Sequence, residues 1–415
     1  MVRRNSLAEW MEKIETGYVL PFFQPILSLE TMSVYGYESL GRLKDETGNV
    51  ESLGGFFGLS SAKSGSIDES LDEFSLEIDR KLRKKAIGYL ANQSIDPTAK
   101  LFLNISPRRL LNHISLYPDL ETEVHTLTLA REAGIDPGRI VIEITEEHIE
   151  EDIELLWPII ESYKKFGFQI AIDDIGSKSS NLDRIAVLRP DIIKIDMQML
   201  KRSITDRSYE EILFSLSRIC ENLGISLLFE GVEEKHELEK AIEFGARYVQ
   251  GYLLDKPFCE FQKLNKYNST LSNYINEYCI EQYYTIQKRI RLEKIIEDSL
   301  SVLNFKEEYW DQLPEIFKLD DSNTFYRFYL TDLLGYQISP NFTRENGSII
   351  RDDTSLGKNW CWRPYFMNHV YASSRNPEEW VISAPYNDLN SKHILKTFSK
   401  TIAPNKIFFM DIIHT

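Results

Sequence analysis

Ile170-Ala171-Ile172-Asp173-Asp174-Ile175-Gly176 runs an apolar strand straight into two adjacent carboxylates and a glycine. Neighbouring side chains on a strand point to opposite faces, so Asp173 and Asp174 share one site only if the strand ends between them and the chain turns. Two carboxylates side by side repel and resist desolvation, and a divalent cation, or two, is the usual relief. Solvated acids capping the next helix are the plain alternative for a single Asp-Asp pair. The pattern recurs, however. Short apolar runs reach a polar residue at Gln24, Glu38, Asn104 and Glu143 before the pair, and at Lys194, Glu230 and Gln250 after it. Segments with helical spacing, such as residues 153–166 and 209–223, lie between most of these runs. Eight strand-and-helix repeats in about 250 residues predict an α/β fold of the TIM-like (β/α)8 type. The carboxyl ends of its strands would bring four acids, one asparagine, one lysine and two glutamines to one mouth.

The 415 residues exceed one ordinary domain, so a second domain is expected after the barrel. No apolar run approaches the ~18 residues of a membrane span, which predicts a soluble chain with no membrane insertion. Four cysteines, at 220, 259, 279 and 361, form no CxxC pair, and a reducing cytoplasm suits them. A net charge of −16 excludes a duplex nucleic acid partner, which needs a basic surface. A small phosphate ester stays compatible, provided bound cations reverse the field of an acidic mouth. The Gly- and Ser-rich residues 52–70 read as a flexible loop at that mouth; they lack the Gly-Lys-Ser/Thr ending of a P-loop. No HExxH zinc motif occurs among the seven histidines.

The motifs occur in order: Glu38-Ser39-Leu40 with Arg42, Asn104 before Ser106-Pro107, Glu143-Ile144-Thr145-Glu146, Asp173-Asp174-Ile175-Gly176, Lys194-Ile195-Asp196, Glu230-Gly231-Val232-Glu233 and Gln250-Gly251-Tyr252. Together they resemble the motif series of EAL domains, cyclic di-GMP phosphodiesterases built on a TIM-like barrel. The resemblance covers roughly residues 1–260. It implies one divalent metal on Glu38, Asn104, Glu143 and Asp173, and a second on Asp173, Asp174 and Glu230. It also implies that Lys194 positions the attacking water, that Gln24, Arg42 and Gln250 contact the dinucleotide, and that Glu146 braces the loop after Asp174. Glu233 matches a further family acid, assigned to the same bracing. Mg2+ or Mn2+ is the expected pair of ions, with Ca2+ inhibitory; the expected product is linear 5'-pGpG and the expected assembly a homodimer. Hard oxygen ligands suit Mg2+ and Mn2+ without the family name, and hydrolysis of a phosphodiester at neutral pH calls for such ions.

Two positions depart from the family. Ser39 stands where alanine is usual, a change between small residues. Gly176-Ser177-Lys178-Ser179-Ser180-Asn181 stands where Gly-Thr-Gly-Tyr-Ser-Ser is typical, so a glycine has become Lys178 and a tyrosine Ser179. A weakly active or inactive cyclic di-GMP receptor is therefore the alternative to an active phosphodiesterase.

Residues 261–313 read as a connecting helical segment, since neither Gly nor Pro occurs from Phe258 to Leu313 and Ile275, Cys279, Tyr283, Ile286 and Ile290 keep helical spacing. That stripe suits the barrel, the last domain or a partner copy. Residues 314–415 read as a smaller α+β domain, with strands at 325–330 and 406–411 and turns at Gly335, Gly347 and Gly357. Residues 359–366 followed by 383–388 resemble PAS or Cache sensor domains, and the C-terminal domain attached to some EAL proteins of bacilli. Its aromatic cluster with one arginine is either plain core or a grip for an unknown small ligand such as a carboxylate.

Overall fold

The computed structural model describes residues 7–61, 69–92, 96–106, 125–145, 153–175, 182–301 and 325–414. Two compact units divide the chain, residues 1–282 and 283–415.

In the first unit the strands are β1 (Tyr18–Ser28), β2 (Ser33–Lys44), β3 (Val50–Ser52), β4 (Lys100–Ile105), β5 (Ile140–Thr145), β6 (Gln169–Ile175), β7 (Ile192–Ile195), β8 (Ser226–Phe229) and β9 (Tyr248–Val249). Neighbours run β1-β9-β8-β7-β6-β5-β4-β2, and β1 also pairs with β2, so eight strands close a ring while β3 is a ribbon on β2. From β2 through β9 the ring pairs are parallel, joined by crossovers that include α1 (Glu69–Asn92), α2 (His125–Glu132), α3 (Ile153–Lys165), α4 (Leu182–Leu188), α5 (Met197–Thr205), α6 (Arg207–Leu223) and α7 (Lys235–Glu243).

The eight-stranded barrel is TIM-like as expected, with one departure from strand-and-helix alternation at its first strand. β1 is antiparallel to both of its neighbours. Residues 29–32 alone link β1 to β2; a hairpin spans so few residues, whereas a parallel crossover needs a dozen or more. Gln24 therefore lies inside a strand, directly opposite Glu38 in the register, and β2 runs on to Lys44. The Gly- and Ser-rich stretch differs as well. Its first part is a helix, Gly54–Ser61, because Leu53 and Phe56 are fully buried against Trp10 and Ile14 of the N-terminal helix Leu7–Thr16.

Inside the ring, Ile26, Phe102, Val141, Ala171, Ile192, Leu228 and Tyr248 form one buried cluster. This apolar layer fixes where the polar one must be. Side chains repeat every second residue, so the inward positions two residues further on are Asn104, Glu143, Asp173, Lys194, Glu230 and Gln250. The opposite faces of the strands pack against the helices in a larger core that contains Leu103, Ile142, Ile172, Ile193 and Phe229.

A long helix, α8 (Asn268–Ser301), follows. Leu271 near its start is buried in the barrel core, and Leu300 near its end is buried in the core of the second unit. Ile275 packs against the barrel core, but Tyr283, Ile286 and Ile290 are exposed, so the stripe read from the sequence splits. The second unit is an antiparallel sheet in the order β12-β11-β10-β16-β15-β13, with β10 (Phe325–Thr331), β11 (Asn341–Glu345), β12 (Ser348–Asp352), β13 (Val381–Ile382), β14 (Tyr386–Asn387) on β15 (Ile394–Ala403), and β16 (Lys406–Ile413). A helix, α9 (Pro364–Ser373), buries Tyr365, Phe366 and His369. Gly335, Gly347 and Gly357 all take positive φ, as turns at those positions require.

Candidate active site

At the end of β6 the backbone of Asp174 adopts φ +60°, and the pairing with β7 shifts between Ile172 and Ile175. Aspartate tolerates this left-handed conformation better than most residues. The turn brings Asp173 and Asp174 to the same side, with Asp173 Oδ1 accepting a hydrogen bond from the Asp174 N–H at 3.0 Å. One oxygen each from Asp173, Asp174 and Glu230 lies within 4.8 Å of the others, a spacing one cation can bridge.

Lys194 is the centre of the site. It is fully buried, and its Nζ lies 2.6 Å from Glu143 Oε1, 2.6 Å from Glu230 Oε1, 3.1 Å from Asp173 Oδ1 and 3.7 Å from Glu38 Oε1. Burial pulls the ammonium pKa down, but Asp173, Glu143, Glu230 and Glu38 together hold it well above the ordinary lysine value. The acids do not balance. Burial pushes the Glu143, Asp173 and Glu230 carboxyls up, against the attraction of Lys194. Burial and the neighbouring Asp173 raise Asp174 to about 7.

Five carboxylates face one ammonium, which leaves four formal negative charges, the charge of two divalent cations. A local observation agrees. Glu143 is completely buried; its Oε1 meets Lys194 as an ion pair outside good hydrogen-bond angles, and its Oε2 has no partner among the described residues. A buried, unpartnered carboxylate oxygen costs several kcal/mol unless a cation or donor reaches it. The donor set of carboxylates and one amide oxygen is the hard set that Mg2+, Mn2+ and Ca2+ take, so the residues present fit such ions.

The remaining expected residues are placed as follows. Asn104 donates from Nδ2 to Glu38 Oε1 at 3.0 Å, and Gln250 donates from Nε2 to Glu38 Oε2 at 2.7 Å. Glu38 is thus held from both sides, and Gln250 Oε1 is buried without a partner among the described residues. Gln24 is buried, with Nε2 at 3.4 Å from the Asp255 carbonyl. Arg42 lies over the Phe22 ring and donates to the Gly41 carbonyl and to Ser52 Oγ. Glu233 stands apart from the acid cluster and pairs with Lys201 of α5 at 2.7 Å. Glu146 and residues 176–181 lie outside the described residues. Asp196 had no role in the sequence reading. It caps α5 by accepting from the Gln198 N–H, and its charge adds to the rise of Asp174. Its signal was its spacing, two residues beyond Lys194.

Gly251 allows the loops after β8 and β9 to touch. A Cβ there would sit 2.0 Å from the Val232 carbonyl oxygen, and the Val232 N–H donates to the Gln250 carbonyl at 3.0 Å. Gly251→Ala is expected to cost about 3 kcal/mol of stability in a urea titration, because the obstacle is backbone and cannot rotate away. The loops carrying Glu230 and Gln250 would part in the same variant.

Fold and site together define a TIM-like barrel with an acidic mouth built around a buried lysine. The chain belongs to the EAL-domain family: the EAL domain matches residues 7–257, and an EAL-domain associated signalling protein domain matches residues 262–415. It is 32% identical over 411 residues to the uncharacterized EAL-domain containing protein YkuI of Bacillus subtilis, covering 95% of this chain and 94% of that protein. The crystal structure of YkuI in complex with substrate cyclic di-GMP and calcium superposes with a TM-score of 0.84 at 30% identity, over 99% of this chain and 100% of that one. A probable cyclic di-GMP phosphodiesterase of Escherichia coli, PdeA, is 29% identical over 248 residues, 59% of this chain and 31% of that protein. Among the described residues no helix is long and apolar enough to cross a membrane.

Proposed function

We propose that the barrel hydrolyses cyclic di-GMP to linear 5'-pGpG with the help of two divalent cations, and that the C-terminal unit tunes the reaction. The observation that carries this reading is the unbalanced acid cluster around Lys194, with the orphaned Glu143 Oε2 inside it. YkuI, crystallised with cyclic di-GMP as its substrate, and the phosphodiesterases among the relatives support the choice of ligand. Glu38, Asn104, Glu143 and Asp173 would hold one ion, and Asp173, Asp174 and Glu230 the other. Bound there, the ions supply positive charge that acidifies a water and offsets the charge developing on the phosphodiester.

The chain's own residues do the rest. Lys194, an ammonium with three donors and no acceptor, keeps the attacking water oriented by donating to it and adds a fixed positive charge. Asn104 and Gln250 fix the Glu38 carboxylate by one hydrogen bond to each oxygen, so Glu38 is positioned before any ligand arrives. Arg42 has the fork geometry for a phosphate, and Gln24 and Gln250 offer amides to the dinucleotide.

The departures at Lys178 and Ser179 favour a second reading, a receptor that binds cyclic di-GMP and turns it over little. One experiment separates the two. Full-length protein with Mn2+ or Mg2+ is expected to convert cyclic di-GMP to the linear dinucleotide, and to stop when a chelator is added or Ca2+ is substituted. Tight binding without product in every metal would leave the receptor; neither binding nor product would overturn both.

A further inference from the structure

The second unit contains a cavity of about 130 Å3 whose lining includes Arg327, Tyr329, Trp360, Arg363, Tyr365 and Asp388. Its two arginines are in opposite situations. Arg327 is neutralised: Nε and Nη2 reach Asp411 Oδ2 at 2.9 and 2.6 Å, and Nη2 reaches Asp388 Oδ1 at 3.1 Å. Both acids are further satisfied, Asp388 Oδ2 by the Asn390 and Ser391 N–H groups and Ser391 Oγ, and Asp411 Oδ1 by Thr397 Oγ1 and the Tyr386 hydroxyl. This group is a structural network in which each carboxylate oxygen of Asp388 and Asp411 already accepts at least one hydrogen bond.

Arg363 has no such partner. Its guanidinium lies 4.9 Å from the Trp362 ring centre, 5.4 Å from Tyr386 and 5.9 Å from Tyr365. Among the described residues no carboxylate pairs with it, and its Nε is sealed from solvent without a hydrogen-bond acceptor. Stacking on rings orients a guanidinium while leaving its in-plane donors unused, and a buried donor left unused costs about 1 to 3 kcal/mol. Lys358 adds a second positive charge to the lining. The Tyr329 and Tyr365 hydroxyls are 2.9 Å apart, so one proton bridges them and one hydroxyl still has a proton to donate. The cavity thus offers donors and positive charge beside aromatic walls, in a volume too small for a nucleotide.

We propose that this cavity binds a small organic carboxylate, with Arg363 as its anion contact and the tyrosine pair as a further donor. The carboxylate supplies the acceptors that Arg363 lacks, and its short carbon body lies on the rings. The proposal does not depend on the barrel's activity.

The test is thermal unfolding of the full-length protein with acetate, lactate, pyruvate or succinate, each compared with its carboxamide. At least one carboxylate should raise the midpoint of the C-terminal transition by about 3 to 6 °C at saturation. Its carboxamide should not, and Arg363→Gln should lose the rise while keeping any shift produced by cyclic di-GMP. No rise with any carboxylate, an equal rise with the carboxamide, or a rise retained in Arg363→Gln overturns the proposal. So does a rise with inorganic phosphate alone. Should Arg363→Gln fail to fold, the comparison of carboxylate with carboxamide on the wild-type protein decides.

Discussion

Asp173→Asn should lower the rate of cyclic di-GMP hydrolysis by about a thousandfold or more without destabilising the metal-free protein. The substitution keeps the shape of the side chain and removes one charge. Asp173 is the acid assigned to both cations, it lies 3.1 Å from Lys194 Nζ, and it shares the 4.8 Å cluster with Asp174 and Glu230. Losing it weakens the hold on two ions at once, whereas losing any other ligand weakens one.

Stability should move the other way from activity in this variant. Burial raises the Asp173 carboxyl above its ordinary value, Lys194 offsets part of that, and Glu38 adds to it. A carboxyl raised in the fold contributes fully below its unfolded pKa, and the contribution is lost as pH rises through the folded value. As pH rises through that folded value the Asp173 charge therefore comes to oppose folding of the metal-free protein, and asparagine carries no such charge. In a chelator Asp173→Asn is expected to melt at the wild-type temperature or higher; with Mn2+ in excess the wild type should gain and the variant should gain less. Wild-type turnover in Asp173→Asn would remove the metal assignment. A collapse of its melting temperature would show that Asp173 holds the barrel rather than the ions.

The contrast between charge and packing also explains what the sequence could reveal. Strand-end residues such as Asn104, Glu143 and Asp173 were legible because they follow inward apolar residues by two, and period-two alternation survives in a linear reading. Strand direction was not carried by that alternation. Only the four residues between Ser28 and Ser33 carried it, and they make β1 antiparallel. Ile192-Ile193-Lys194 reads as a strand that delivers a lysine to the mouth, but its complete burial within 3.7 Å of four carboxylates follows only from closure of the ring, which brings acids from four other strands and loops around it. In the second unit residues 325–330 read as a strand, but the partners of Arg327 could not be read with it, because Asp388 and Asp411 lie 61 and 84 residues away. Helical spacing alone could not separate Ile275, which packs on the barrel core, from Tyr283, Ile286 and Ile290, which are exposed.

Lys194→Met should make the fold depend on a divalent cation. The ammonium is the positive charge within the cluster, fully buried and within 3.7 Å of four carboxylates. Methionine fills much of the same volume but leaves Glu143, Asp173 and Glu230 facing one another with no ammonium between them. Removing one partner of a buried ion pair costs about 3 to 5 kcal/mol, and some of the acids taking up protons would return only part of it. Urea unfolding in a chelator should therefore show a loss of that size. Cations bind the folded cluster and have no such site in the unfolded chain, so Mn2+ should recover most of the loss by mass action. The stabilisation by Mn2+ should accordingly be larger in Lys194→Met than in the wild type, while turnover stays lost in both conditions because the donor to the attacking water is gone. Equal Mn2+ stabilisation of both proteins would mean that Lys194 is not the charge that holds the empty cluster together. Full turnover in the variant would remove Lys194 from the chemistry and leave it only a structural counter-ion.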